Sequence, residues 1–267
     1  VATPQAHLKG NDGLNHYYSF ILALLFALAA GLVGSFAFMK RMVLASDVIS
    51  HLALPGLGVA FLLHVNPLAG GAASLFLGAF LIWWLQGRTG LSLDSMIGIV
   101  FACALALGAA ITPNEDLLEA LLGGFQQPSL LGLLLGVLAA AIVVMGILRL
   151  KDQMILGLFS SDLAIATGVN IRREDLFFLL LFSLTVLIGL RFTGALLGSA
   201  LIIVPAATAR QLATNVASFV TISCSVSILA VSVGWLCNSL FVGASTPGPT
   251  IVIVSAILFA SSLLKRH

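Results

Sequence analysis

From residue 18 onward, long apolar runs alternate with short polar interruptions. The runs fall at 18–39, 43–63, 67–86, 91–112, 129–149, 176–190, 192–209, 217–240 and 247–264. A helix that crosses the hydrocarbon core needs about 20 mostly apolar residues, and most of these runs reach that length. Arg191 and Gly194 interrupt the stretch from 176 to 209, so one of its two pieces is open to being re-entrant. The pattern predicts an all-α polytopic membrane protein, a bundle of eight to nine transmembrane helices. Residues 1–16 read as a polar, unpatterned tail, trimmed or added, and residues 17–267 as one transmembrane domain.

The polar interruptions set the orientation. Basic residues favour the cytoplasmic ends of spans. Lys40, Arg41, Arg88, Arg149, Lys151, Arg172, Arg173, Arg210, Lys265 and Arg266 all fall on one side if the N-terminus is outside. Glu115, Asp116 and Glu119 then fall on the other, and only Lys9 and Arg191 dissent. The outer segment Pro113–Pro128 carries leucines at helical spacing and predicts a short interfacial helix. The inner segment, Lys151 to Asp175, is the largest cytoplasmic feature. Within it Leu163, Ala164, Ala166 and Val169 predict a short helix ended by Gly168.

Composition narrows the class. Only 8% of the 267 residues are charged and 60% are hydrophobic, against roughly 25% charged in a soluble domain. That excludes a soluble enzyme, a nucleic-acid binder and a disordered chain. Cys103, Cys224 and Cys237 sit in apolar stretches without a C-x-x-C spacing and are expected to be buried small hydrophobes, not ligands. No G-x-x-x-x-G-K-[ST] occurs, so no ATP site of that kind exists in the chain.

Ionisable residues within spans are costly unless paired or hydrated. Asp94 is expected to cap a helix, and His64, beside Asn66 and Pro67, to sit in a solvated loop. Asp47 and His51 differ. They lie four residues apart with apolar sequence on both sides, which on a helix puts both on one face, about 5–6 Å apart at Cβ. A carboxylate oxygen with an imidazole nitrogen suits a first-row divalent cation. The other readings are an Asp–His hydrogen bond within a helix interface and a proton relay. Pro55-Gly56 follows at once and should kink or unwind the helix.

Ser46-Asp47-x-x-Ser50-His51-x-x-x-Pro55-Gly56 resembles the signature of the permeases of zinc, manganese and iron ABC importers. Asp94-x-x-Ile97-Gly98-Ile99-x-Phe101, Asp116-Leu117-x-x-x-Leu121-x-Gly123 and Ala164-x-x-x-Gly168-Val169 are similar to further segments of that family, in the same order. So is the stretch from Gly194-Ala195-Leu196-Leu197 to Pro205-Ala206-Ala207-x-Ala209. Where the family has Asp-x-Glu-x-Ala in its cytoplasmic loop, this chain has Ser160, Asp162 and Ala164. The resemblance implies a homodimeric permease in a bacterial inner membrane, with an ABC ATPase subunit beneath each copy and an extracytoplasmic metal-binding protein above. It implies zinc or manganese as the substrate, held by Asp47 and His51, and no bound cofactor. It implies a coupling helix at Ser160, Asp162, Ala164 and Gly168, and helix breaks or gates at Pro55, Gly56 and Pro205. The alternative is a gradient-driven carrier or channel that uses Asp47 and His51 as an ion relay.

Overall fold

A computed structural model describes residues 8–42, 45–111, 130–242 and 247–264; its side chains are described from residue 17 on, except 161, 191–197 and 241–242. The helices are α1 (Leu8–Met39), α2 (Ala45–His51), α3 (Ala53–Leu62), α4 (Pro67–Thr89) and α5 (Leu93–Ile111). They continue with α6 (Leu130–Phe159), α7 (Ser161–Ala166), α8 (Ile171–Leu212), α9 (Val216–Cys237) and α10 (Gly248–Leu264). No strand occurs among the described residues. Among the described residues, six helical stretches are long and apolar enough to cross a membrane: Tyr17–Met39, Ala45–Leu62, Pro67–Thr89, Leu93–Ile111, Leu130–Phe159 and Val216–Leu240, with Gly248–Leu264 shorter. The interfacial helix expected at Pro113–Pro128 lies outside the described residues.

The ends of the helices follow local chemistry. Asn66 accepts the Leu68 N–H at 2.9 Å and Pro67 follows at the first helical position, so α4 starts there. His64, expected in a loop, is exposed in the turn just before. The cap expected of Asp94 belongs instead to Ser92, whose hydroxyl accepts the Ser95 N–H at 3.3 Å. Asp94 lies inside the first turn of α5, where a carboxylate still favours the dipole. Of the three cysteines, only Cys224 and Cys237 are partly buried. Cys103 corrects the expectation, because the face of α5 that carries it turns away from the bundle.

The run at 43–63 is broken at Leu52. Pro55 has no N–H to give the carbonyl four residues back, that of His51, and its ring crowds that carbonyl. The helix therefore stops at His51, and Pro55 falls in the first turn of α3, where proline is tolerated. Gly56 then meets α4 backbone to backbone. A Cβ added there would strike the Gly70 carbonyl and the Ser74 side chain, and one added at Gly70 would strike the Gly56 carbonyl.

The stretch from 176 to 209 lies in one helix, α8, but that helix is folded back on itself. Glu174 and Arg210 would stand about 54 Å apart on a straight helix. Yet Lys40 bonds to Glu174, while the next residue, Arg41, lines the same cavity of about 470 Å³ as Arg210. Likewise Gly189 packs on the Phe26 ring of α1, and Gly34, lower on α1, faces the Ile202 carbonyl. The first limb therefore rises antiparallel to α1 and the second descends beside it. Around this hub pack α1, α2, α4, α6, α9 and α10. The core is apolar and large, with Phe26, Phe36, Phe178 and Phe182 fully enclosed. Several buried hydroxyls turn to carbonyls, as in Ser223 to Gly31 and Thr185 to Leu181, both at 2.9 Å.

One end of the bundle gathers the basic residues. Lys40, Arg41 and Arg210 meet there, and Arg172 stacks 4.8 Å from the Trp83 ring while Arg88 stacks 4.8 Å from Trp84. Aromatic and basic side chains together mark a membrane–water boundary.

Candidate functional site

Asp47 and His51 occupy successive turns of α2, the seven-residue helix that the proline break leaves behind. His51 Nε2 lies 3.9 Å from Asp47 Oδ1, beyond hydrogen-bond range. The two are therefore neighbours without being locked to each other, and the hydrogen-bonded Asp–His pair considered from the sequence is not formed. Each is held by something else. Ser199, on the second limb of α8, donates to Asp47 Oδ1 at 3.3 Å. The His51 ring lies against Phe101 of α5, with centroids 5.7 Å apart. Its Nδ1 is buried and makes no hydrogen bond among the described residues. Ser50 donates to the Asp47 carbonyl at 2.6 Å.

The two side chains differ sharply in exposure. His51 is 12% exposed, whereas Asp47 is 49% exposed, on a face that the rest of the chain leaves uncovered. Among the described residues no third His, Cys, Asp or Glu joins them to make a metal-binding group. One chain thus offers one carboxylate and one imidazole. Ser199 escaped the sequence reading, since 152 residues separate it from Asp47 and a serine in a glycine-rich run carries no signal of its own.

Of the positions expected to break helices, Pro55 and Gly56 lie just past a break and Pro205 lies inside continuous helix. Pro55 and Gly56 lie in the first turn of α3, and the break itself is three residues earlier than Pro55. Pro205 is buried within the second limb of α8, below Ser199.

The segment between α6 and α8 contains the expected short helix, although α6 runs on to Phe159 before it. Ser160 caps α7 by accepting the Leu163 N–H at 3.3 Å. At the other end Gly168 adopts φ +81°, and two bonds close the turn, Gly168 N–H to Ile165 O and Val169 N–H to Ala164 O. That pair of bonds around a left-handed residue is a Schellman cap. Ala164 is fully buried and seats the helix on the bundle, while Asp162, Leu163 and Ile165 point outward. The apolar pair is 58% and 65% exposed, and Phe159 beside them is 78% exposed.

The comparisons with known proteins cover nearly the whole chain. The high-affinity zinc uptake system membrane protein ZnuB of Haemophilus influenzae is 29% identical over 252 residues, 92% of this chain and 96% of its own length. The manganese import system permease protein ScaB of Streptococcus gordonii is 29% identical over 262 residues, covering 94% and 92%. Among solved structures, PsaBC from Streptococcus pneumoniae in complex with Fab superimposes with a TM-score of 0.77 at 26% identity, over 92% of this chain and 90% of that one. An inward-facing putative metal-chelate type ABC transporter shares the fold at 0.70 and 19% identity, over 92% and 85%. The pattern of the ABC 3 transport family matches residues 16–266, and the chain belongs to that family.

Proposed function

We propose that the chain is the membrane permease of an ATP-driven importer of a divalent transition metal, zinc or manganese. It works as two copies in a bacterial inner membrane, with an ATPase subunit beneath each and an extracytoplasmic metal-binding protein above. The observation that carries this reading is the Asp47 carboxylate, half exposed on an apolar span beside His51. A charge on such a face is not left to lipid; it faces a hydrated path, a cation or another polar surface. Two donors are too few for zinc, which takes four in a closed tetrahedral site. A second copy about a two-fold axis doubles the set to two carboxylates and two imidazoles. The two carboxylates balance a dication, and an O/N set without thiolate suits zinc or manganese. The names of the relatives, zinc uptake and manganese import, support the same substrates.

Beside the site, α5 turns Gly98, Ala102, Ala106 and Ala110 outward, each one helical turn from the next. Small residues at that spacing let a second helix approach closely in lipid, and this is the face where the second copy seats. At the cytoplasmic end, Phe159, Leu163 and Ile165 form an apolar patch on a loop that stands in water. Such a patch marks a protein contact, and the ATPase docks there, with Ser160 and Gly168 fixing the ends of the helix and Ala164 its seat. The chain itself moves metal and leaves hydrolysis to its partner.

The test is reconstitution of the chain with its co-purifying subunits in liposomes. Uptake of zinc or manganese should require ATP inside the ATPase compartment and stop without the binding protein. Uptake driven by an ion gradient alone would establish the carrier reading instead.

A further inference from the structure

Lys40 is the first residue beyond α1, and its ammonium crosses to the first turns of α8. Nζ lies 2.7 Å from Asp175 Oδ1 and 3.0 Å from Glu174 Oε1, with the Phe178 ring centroid at 5.5 Å. The Lys40 side chain is 11% exposed and that of Glu174 only 2%. One ammonium therefore meets two carboxylates, and Glu174 Oε2 is buried without a hydrogen-bond partner among the described residues. Apolar residues of the same size often stabilise a protein better than a buried ion cluster does. Stability alone is thus a weak reason for charge here, where the Phe178 ring already supplies apolar packing.

What the cluster joins is more telling. On one side the chain leaves Lys40 through Arg41, held at φ +61°, to Met42, whose carbonyl accepts the Ala45 N–H at 3.1 Å. Two residues later comes Asp47. On the other side, Asn170 caps α8 and its side chain accepts the Arg173 N–H at 3.1 Å, just after the Gly168 closure of α7. The cluster ties the segment entering the Asp47 helix to the segment leaving the exposed cytoplasmic helix.

We propose that Lys40 is a positioning residue for transport, whose ion pairs with Glu174 and Asp175 carry movement of the α7–α8 junction to α2 and so to Asp47 and His51. This rests on α7 being the ATPase-docking helix. Two carboxylates share one ammonium, so a small turn of α8 can loosen one contact while the other still pairs the cation. For Lys40 to act in this way, the exchange must be a two-state contact that both ends of the path bias, unlike an interlocked apolar joint.

The experiment uses the whole complex in liposomes and reads metal moved per ATP hydrolysed, with assembled yield recorded separately. Lys40→Met keeps the stem and removes the charge; metal per ATP should fall by about fivefold or more while hydrolysis continues. Lys40→Arg, and the exchange Lys40→Glu with Glu174→Lys, should restore most of the ratio. An unchanged ratio in Lys40→Met, with only yield reduced, overturns the proposal and leaves the cluster structural. If Lys40→Met does not assemble, Asp175→Asn decides, since it leaves the Lys40–Glu174 pair in place. It should lower the ratio, and a ratio equal to the unaltered complex overturns the proposal. Failure of the underlying reading is distinguishable, because it would appear in the unaltered chain as metal movement without ATP.

Discussion

At the scale of single residues, Asp47 and His51 separate chemistry from packing. Asp47→Asn keeps the shape and the Ser199 hydrogen bond but removes the charge that balances a dication. Metal flux per assembled complex should drop at least about tenfold, because the dication then lacks its compensating charge. His51→Ala should change the ratio of zinc to manganese flux as well as the rate. Intact flux per complex with reduced yield would sink the ligand role. Lys40 has its own pH signature. Burial alone would pull its ammonium toward neutrality, but the charges and hydrogen bonds of Asp175 and then Glu174 outweigh it and hold the pKa above the ordinary 10.5. A group raised on folding contributes fully below its unfolded value and is lost only as pH climbs through the folded one. Thermal unfolding of the solubilised chain between about pH 8 and 10 should show no loss from this group, and Lys40→Met should lower the midpoint throughout. Asp47 and His51 were legible in the sequence because ionisable residues are conspicuous among apolar ones. Ser199, Glu174 and Asp175 were not legible as partners, because their meaning comes from elements more than a hundred residues away.

At the scale of elements, two glycines that look alike in sequence part company. Gly56 touches the backbone of Gly70, so Gly56→Ala forces α3 and α4 apart, and overpacking of this kind costs about 1–3 kcal/mol. Gly98 has nothing within 4 Å, so Gly98→Leu should leave the fold of the lone chain untouched. If α5 seats the second copy, the same change should shift the solubilised protein from dimer to monomer in size-exclusion light scattering. For α7, the exposure pattern assigns different outcomes to neighbouring positions. Leu163→Asp or Ile165→Asp should abolish ATPase binding with normal expression, whereas Ala164→Asp buries a charge and should unseat the helix. The short helix and its glycine end could be read from spacing and turn chemistry. The break at Leu52 was displaced from Pro55-Gly56 because a proline disrupts the carbonyl four residues before it. The cap of α5 was misplaced because both Ser92 and Asp94 suit that role, and only the backbone decides between them.

At the scale of the whole molecule, nine apolar runs were visible but their connections were not. Arg191 and Gly194 suggested a boundary, and the structure keeps helical backbone through it while reversing the direction of α8. Hydropathy measures how long a run is, not whether it comes back. The gathering of basic residues at one end predicts that cysteines placed at His64 and Arg173 label from opposite sides with an impermeant reagent. Labelling of both from one side would invert the arrangement on which the metal path and the docking loop depend.

The length of α6 has a further consequence. Its 30 residues make a rod of about 45 Å, while the hydrocarbon core is about 30 Å thick. The unbroken apolar part ends before Arg149, so in the proposed orientation the last three turns would project about 15 Å past the hydrocarbon core and hold α7 clear of the lipid. A partner that meets the bundle at that stand-off never touches acyl chains. Its grip on the complex should weaken with agents that act on contacts in water, and stay the same when the thickness or saturation of the surrounding lipid is changed.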